Sequence, residues 1–197
     1  MLENKRKYDR IFFSGDKMKK GICLLAVTIA VSVTIYYLTF GGIRGNESAL
    51  STVGLEHPIW FAVWGVSTYI ALAINIYTAF CKMKYKFYII LLIISAIGMA
   101  LTLTCDFDYN KYPQYLAHCI GSLAFSGTMG ITVFLAFLIN KKYILSLISA
   151  LILITDLILL LIFKETALIE TVPIFAGYIM LLINNLTLRK DKIEAIQ

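Results

Sequence analysis

YILSLISALILITDLILLLIF, residues Tyr143 to Phe163, carries one charged side chain, Asp156, in 21 positions. Crossing a hydrocarbon core about 30 Å thick takes about 20 mostly apolar residues, and this run is that long. A loop cannot cross lipid, because its unpaired amides would be too costly there, so the run must be a helix. An aspartate at mid-helix costs roughly 2.5–3.5 kcal/mol on insertion scales. Asp156 is therefore expected to face protein or a water-filled cavity. At 1.5 Å per residue it lies about 10 Å below the outer end of its helix. Either it is a structural carboxyl bonded to a neighbouring helix, with Thr155 helping to satisfy it, or it handles a ligand or protons. By depth, its partners would be Ser95, Thr102, Thr104 or His118.

Five more runs of the same kind lie around it, at about 21–40, 58–80, 87–104, 114–139 and 168–188. The expected fold is all-α: a polytopic membrane protein with a six-transmembrane-helix bundle over 21–188, flanked by basic tails at 1–20 and 189–197. Composition agrees. The 197 residues are 59% hydrophobic and 15% charged, against about 25% charged in a soluble domain. The net charge of +6 would suggest nucleic acid only if it formed one solvated patch. The basic residues instead sit at the ends of apolar runs, which sets nucleic acid aside. The run from Gly21 to Phe40 is longer than the apolar core of a signal peptide and lacks a clear small-x-small site, so it is expected to be retained.

Orientation follows from Lys and Arg. The first tail carries Lys5, Arg6, Lys7, Arg10, Lys17, Lys19 and Lys20; Lys82, Lys84 and Lys86 follow the second span, Lys141 and Lys142 the fourth, and Arg189, Lys190 and Lys192 the last. Fifteen cations thus fall on one side, and only Arg44, Lys111 and Lys164 on the other. The positive-inside rule predicts cytoplasmic N- and C-termini and, in a prokaryote, residence in the plasma membrane. Tyr36, Tyr37, Trp60, Tyr85, Tyr88, Tyr109, Tyr112, Tyr115 and Tyr143 lie where an aromatic belt is expected. Pro58, Pro113 and Pro173 fall at or near the outer beginnings of even-numbered spans, where a first turn accepts proline; Pro173 lies further in and is the one that could kink its helix.

Polar residues gather towards the outer face. Glu56 and His57 precede the second span, Asp106 and Asp108 end the third, His118 is about one turn inside the fourth, and Glu170 begins the sixth. If the even spans pack together, these groups converge on an outward-facing polar pocket in which carboxylates beside an imidazole could do acid–base work or hold a divalent metal. Against this stands a simpler account: outer loops need polar residues, and carboxylates favour helix N-termini. Gly121, Ser122, Ser126 and Gly130 give the fourth span small residues at close-packing intervals, with Gly127 nearby. Asn75, Asn184 and Asn185, near the inner ends, suit hydrogen bonds between helices. Cys105 and Cys119 lie near one face, close enough in depth that a bridge between them stays open. Asn46-Glu47-Ser48 is a glycosylation sequon of use only in a secretory host. No phosphate-binding loop, G-x-S-x-G, H-E-x-x-H or C-x-x-C occurs. No metal or cofactor is expected, and two histidines near the outer edge make a poor haem site.

Five short motifs carry a family resemblance. Ser51-Thr52-Val53-Gly54 with Pro58 looks like S-x-x-G-x-x-P, the proline one place later. Ile76-Tyr77-Thr78 is similar to M-Y-T-R, with Ala79 in place of arginine. Asp106-Phe107 resembles an aromatic-containing turn, and His118-Cys119-Ile120-Gly121-Ser122 resembles H-x-x-G-A. Glu170 matches a glutamate opening the last helix, with Thr171 for an aromatic. In this order they resemble the damage-regulated autophagy modulator (DRAM) and FGF-receptor-activating-protein superfamily, in a bacterial-type branch. The resemblance runs from about Ser51 to Leu188 and implies a six-helix fold with cytoplasmic termini; members are linked to lipid handling, lysosomal membranes and GPI-anchor remodelling. The expected partners are membrane lipids, with a second copy or another membrane protein as the protein partner. Four functions stand as expectations: binding lipid headgroups in the outer pocket, an intramembrane enzyme acting there on a lipid, a small transporter using Asp156, or a purely structural partner subunit, which long apolar helices with modest loops also fit.

Overall fold

The computed structural model describes residues 2–42, 48–81 and 86–187, with 2–17 described by backbone alone. Seven helices run in the order α1 (Leu2–Gly41), α2 (Leu50–Glu56), α3 (Pro58–Phe80), α4 (Tyr88–Thr104), α5 (Tyr112–Ile139), α6 (Tyr143–Phe163) and α7 (Ala167–Thr187), and no strand occurs among the described residues. Arg44, the sequon at Asn46, Glu47, Lys82, Lys84, Tyr85 and the segment 188–197 lie outside them.

Among the described residues, five helices are long and apolar enough to cross a membrane: α1 over Met18–Gly41, α3, α5, α6 and α7. The chain is thus a helical, multi-pass integral membrane protein. Helix α4 is apolar but has 17 residues. The clearest sign of lipid as solvent is α6, whose only buried residues are Ser146 and Ser149, while Ile144, Leu147, Leu151, Leu161 and Ile162 lie exposed. In water that arrangement would be inverted; in lipid a polar seam turned inward is expected.

Two boundaries differ from expectation. Helix α1 runs back without a break through the basic segment that precedes its apolar part, to Leu2. Lys and Arg are good helix formers, and no proline interrupts the run from Leu2 to Gly41. Hydropathy also gave no warning of α2, because seven residues are too few to span and too apolar to stand out from their neighbours. Pro58 and Pro113 occupy first-turn positions of α3 and α5, whereas Pro173 lies inside a continuous α7.

Helices α3 and α5 form the centre, with α1 and α7 against α3, and α4 and α6 against α5. The closest pair is α4 and α5, which meet at Gly98 and Gly121: a Cβ on Gly98 would lie 2.7 Å from the Gly121 carbonyl oxygen, and one on Gly121 2.7 Å from that of Gly98. Backbones this near exclude any side chain at the crossing. At the end away from α2, Asn185 Nδ2 donates to the Asn75 carbonyl at 3.0 Å and to its Oδ1 at 3.1 Å, and Asn75 Nδ2 donates to the Cys23 carbonyl at 3.4 Å. This knot ties α1, α3 and α7 with amides that would otherwise be unpaired in hydrocarbon.

At the other end α2 lies across the bundle. The Tyr37 hydroxyl of α1 donates to the Leu50 carbonyl at 2.8 Å, and the Leu50 N–H donates to Glu170 Oε2 of α7 at 2.6 Å. Tyr37, Leu50, Val53, Phe61, Trp64 and Ala167 close an apolar cluster beneath it.

Candidate functional site

Beneath α2 a cavity of about 230 Å³ opens among α3, α4, α5, α6 and α7. Three carboxylates reach it from successive parts of the chain: Asp156 on α6, Glu165 in the turn 164–166, and Glu170 in the first turn of α7. Ser51, Ser122, Ser126 and Ser149 add hydroxyls, and Met99, Phe125, Met129, Leu153 and Ile174 supply apolar wall. Among the described residues, no lysine or arginine lines it.

The alternation of wall and polar group follows from helical periodicity. Ser122 and Ser126 are four residues apart on α5, and Ser149 and Asp156 seven apart on α6, so each pair shares a helix face. Glu170 is only partly buried because its surface opens onto the cavity, and Glu165 and Asp156 act on it electrostatically. Glu165 has its Oε2 buried with no hydrogen-bond partner, and burial pushes its carboxyl above the ordinary glutamate value. Trp64, 6% exposed, also lines the cavity with its indole N–H unpartnered.

At the α2 edge of the cavity lies His118, 2% exposed. Its Nδ1 is 2.9 Å from the Cys105 carbonyl oxygen and its Nε2 2.9 Å from Ser51 Oγ. Phe61 stacks along the ring at 6.2 Å and Phe107 tilts against it at 5.1 Å. The Ser51 side chain also hydrogen-bonds to the Glu170 carboxylate. Residues from three distant segments, Ser51, His118 and Glu170, therefore meet at one place.

The six residues expected to share a pocket separate. His118 and Glu170 come together. Asp106 remains near enough to act on His118, but its Oδ2 pairs with Lys111 Nζ at 2.7 Å on the exposed turn between α4 and α5, and this pairing raises the Lys111 ammonium above its usual value. Asp108 Oδ1 accepts from the Asn110 backbone N–H at 2.9 Å and its Nδ2 at 3.0 Å, closing the same turn. Glu56 is exposed at the end of α2, and His57 rests on Phe40 at 4.4 Å. Asp156 lies in the cavity with Glu170, although Ser95, Thr102 and Thr104, its expected partners, bond to backbone carbonyls instead.

The small residues of α5 separate too. Gly121 packs on α4, Ser122 and Ser126 line the cavity, Leu153 of α6 closes over Gly130, and Gly127 faces open space. One shared packing face was expected; the turn of the helix between them distributes them over two neighbours and a void. Cys105 and Cys119 are free thiols. No group of three or more His, Cys, Asp or Glu suited to a metal occurs among the described residues, and both ring nitrogens of His118 are already engaged.

Sequence reasoning left Glu165 and Trp64 out of the site and gave Ser51 no chemical role. Ser51 did open the S-x-x-G motif, and that was the one available signal. No protein-family model matches the chain, and no curated protein or solved structure shows significant similarity to it.

Proposed function

We propose that this protein binds membrane lipids, taking the polar headgroup into the cavity beneath α2 while the acyl chains remain among the exposed apolar faces beside it. One observation carries this reading: a cavity inside a membrane bundle combines three carboxylates with an apolar wall. A wall of that kind suits an amphiphile. In their ionised form, carboxylates without a cationic residue beside them repel an anionic headgroup and attract an ammonium. Ethanolamine and choline lipids are therefore the preferred class.

The same reading includes six crossings. At 1.5 Å per residue, α4 is about 26 Å long, at the short end of helices that cross a bilayer, and it lies along α5. Both termini then sit in the cytoplasm, by the bias of basic residues, and α2 faces outward. The resemblance to the DRAM and FGF-receptor-activating-protein superfamily, with its links to lipid handling, points the same way.

The test is lipid retention. The full chain, purified in mixed bilayers of phosphatidylethanolamine, phosphatidylcholine and phosphatidylglycerol, is analysed by native mass spectrometry. Ammonium-bearing lipids should be retained over phosphatidylglycerol, and Glu165→Gln with Glu170→Gln should reduce the preference. Equal retention of all three headgroups in the wild type would overturn the reading.

A further inference from the structure

We infer that Ser51 and His118 form a nucleophile–base pair that cleaves a carboxylic ester of an amphiphile lodged in the cavity; the substrate class rests on the lipid-binding reading above. The geometry fixes the role of each atom. A backbone carbonyl can only accept, so the Cys105 oxygen 2.9 Å away places a hydrogen on His118 Nδ1. The neutral ring then presents a lone pair at Nε2. Ser51 Oγ is 2.9 Å from that nitrogen, and its single proton is shared between two acceptors, Nε2 and the Glu170 carboxylate; the reactive arrangement is the one in which it donates to Nε2. Nucleophile bonded to base, and base oriented by a third group, is the arrangement that activates a serine.

Access and shielding agree. Ser51 is one of the residues lining the cavity, so a substrate lodged there lies against the residue that carries the nucleophile. The imidazole lies between Phe61 and Phe107 and is almost sealed from solvent. Glu170 and Tyr37 grip the N–H and carbonyl of Leu50, holding the residue beside the nucleophile; they are positioning residues. The Trp64 indole N–H, buried in the cavity wall without a partner, is a donor available in that wall for an oxygen that gains charge.

The chemistry balances with water as the only co-reactant. Ser51 Oγ attacks the ester carbonyl carbon and its proton passes to His118 Nε2. The ester C–O bond breaks, and the leaving alkoxide takes that proton. Water, deprotonated by Nε2, then attacks the acyl-serine, releasing the carboxylic acid and restoring the hydroxyl. No step changes an oxidation state.

The test uses the full chain in phospholipid nanodiscs, treated with either a short dialkyl or a long-chain alkyl fluorophosphonate, followed by peptide mapping. Both should label Ser51 and no other serine. His118→Asn keeps a donor towards the Cys105 carbonyl but removes the base, so labelling should slow by at least about 100-fold at an unchanged thermal midpoint. If that variant unfolds, the wild-type pH profile decides: labelling should fall about tenfold per pH unit once the imidazole is protonated. Labelling by the short reagent alone supports the nucleophile and removes the lipid substrate. An unlabelled Ser51 in folded wild-type protein, equal rates in folded His118→Asn, or a flat pH profile would each overturn the proposal.

Discussion

Glu165 lies in the turn between α6 and α7 with one carboxylate oxygen buried and unbonded. Burial raises its carboxyl, so the native state binds a proton more readily than the unfolded chain. Stability contributed by this group is therefore gained as pH falls through the raised value and lost as pH rises through it. Glu165→Gln should raise the thermal midpoint at neutral pH, and the gain should shrink towards zero in acid; a midpoint difference independent of pH would contradict the burial. Asp156 separates its two expected roles by substitution. Asp156→Asn should fold like the wild type, and if the carboxyl only shapes the cavity it should also retain lipid normally. Asp156→Leu should change lipid retention, because it replaces a polar wall group by an apolar one. Equal retention by wild type, Asn and Leu would remove Asp156 from the site. Depth made Asp156, His118 and Glu170 legible in the sequence. Depth alone also nominated Asp106, Asp108, Glu56 and His57, because it says how far a residue lies along the membrane normal and nothing about the direction in which it points.

Helices α4 and α5 approach through Gly98 and Gly121, where a Cβ would press on backbone rather than on a flexible side chain. Gly121→Val should force the pair apart and destabilise the protein by about 1–3 kcal/mol, the usual range for overpacking, read as a lower unfolding midpoint in detergent; an unchanged midpoint would contradict so close a crossing. The turn leading into α7 offers the opposite sign. Lys164 has φ 60° and ψ −163°, a region held almost only by glycine, and such strain costs about 1–3 kcal/mol. Lys164→Gly should therefore stabilise, less the entropy that glycine adds to the unfolded chain. Both predictions concern backbone proximity or backbone angle, which a pattern of apolar residues does not report. Helix α2 shows the same gap: it is held by Tyr37, Glu170 and His118 from three other helices, and no partner lies nearby in the chain.

At the scale of the molecule, the orientation is open to direct labelling. Lys84, Lys142 and Lys192 should react with a membrane-impermeant amine reagent only from the cytoplasmic side, and cysteines placed at Asn46 and Asn110 should react from outside. Labelling of Lys142 from outside would reverse the orientation and place the cavity's α2 end inward. The sequence by itself determined that this chain lives in a bilayer as apolar helices, because the cost of burying a residue in hydrocarbon adds up locally along each run and needs no knowledge of neighbours. It also located the polar residues by depth. The tertiary structure decided which of them meet. Lipid tails are as apolar as leucine, so hydropathy does not sort a helix's lipid-facing side from its protein-facing side; shape and hydrogen bonds do. The approach of Gly98 to Gly121 and the hold of Tyr37, Glu170 and His118 on α2 are contacts of that kind, and they bring Ser51, His118 and Glu170 together at the edge of one cavity.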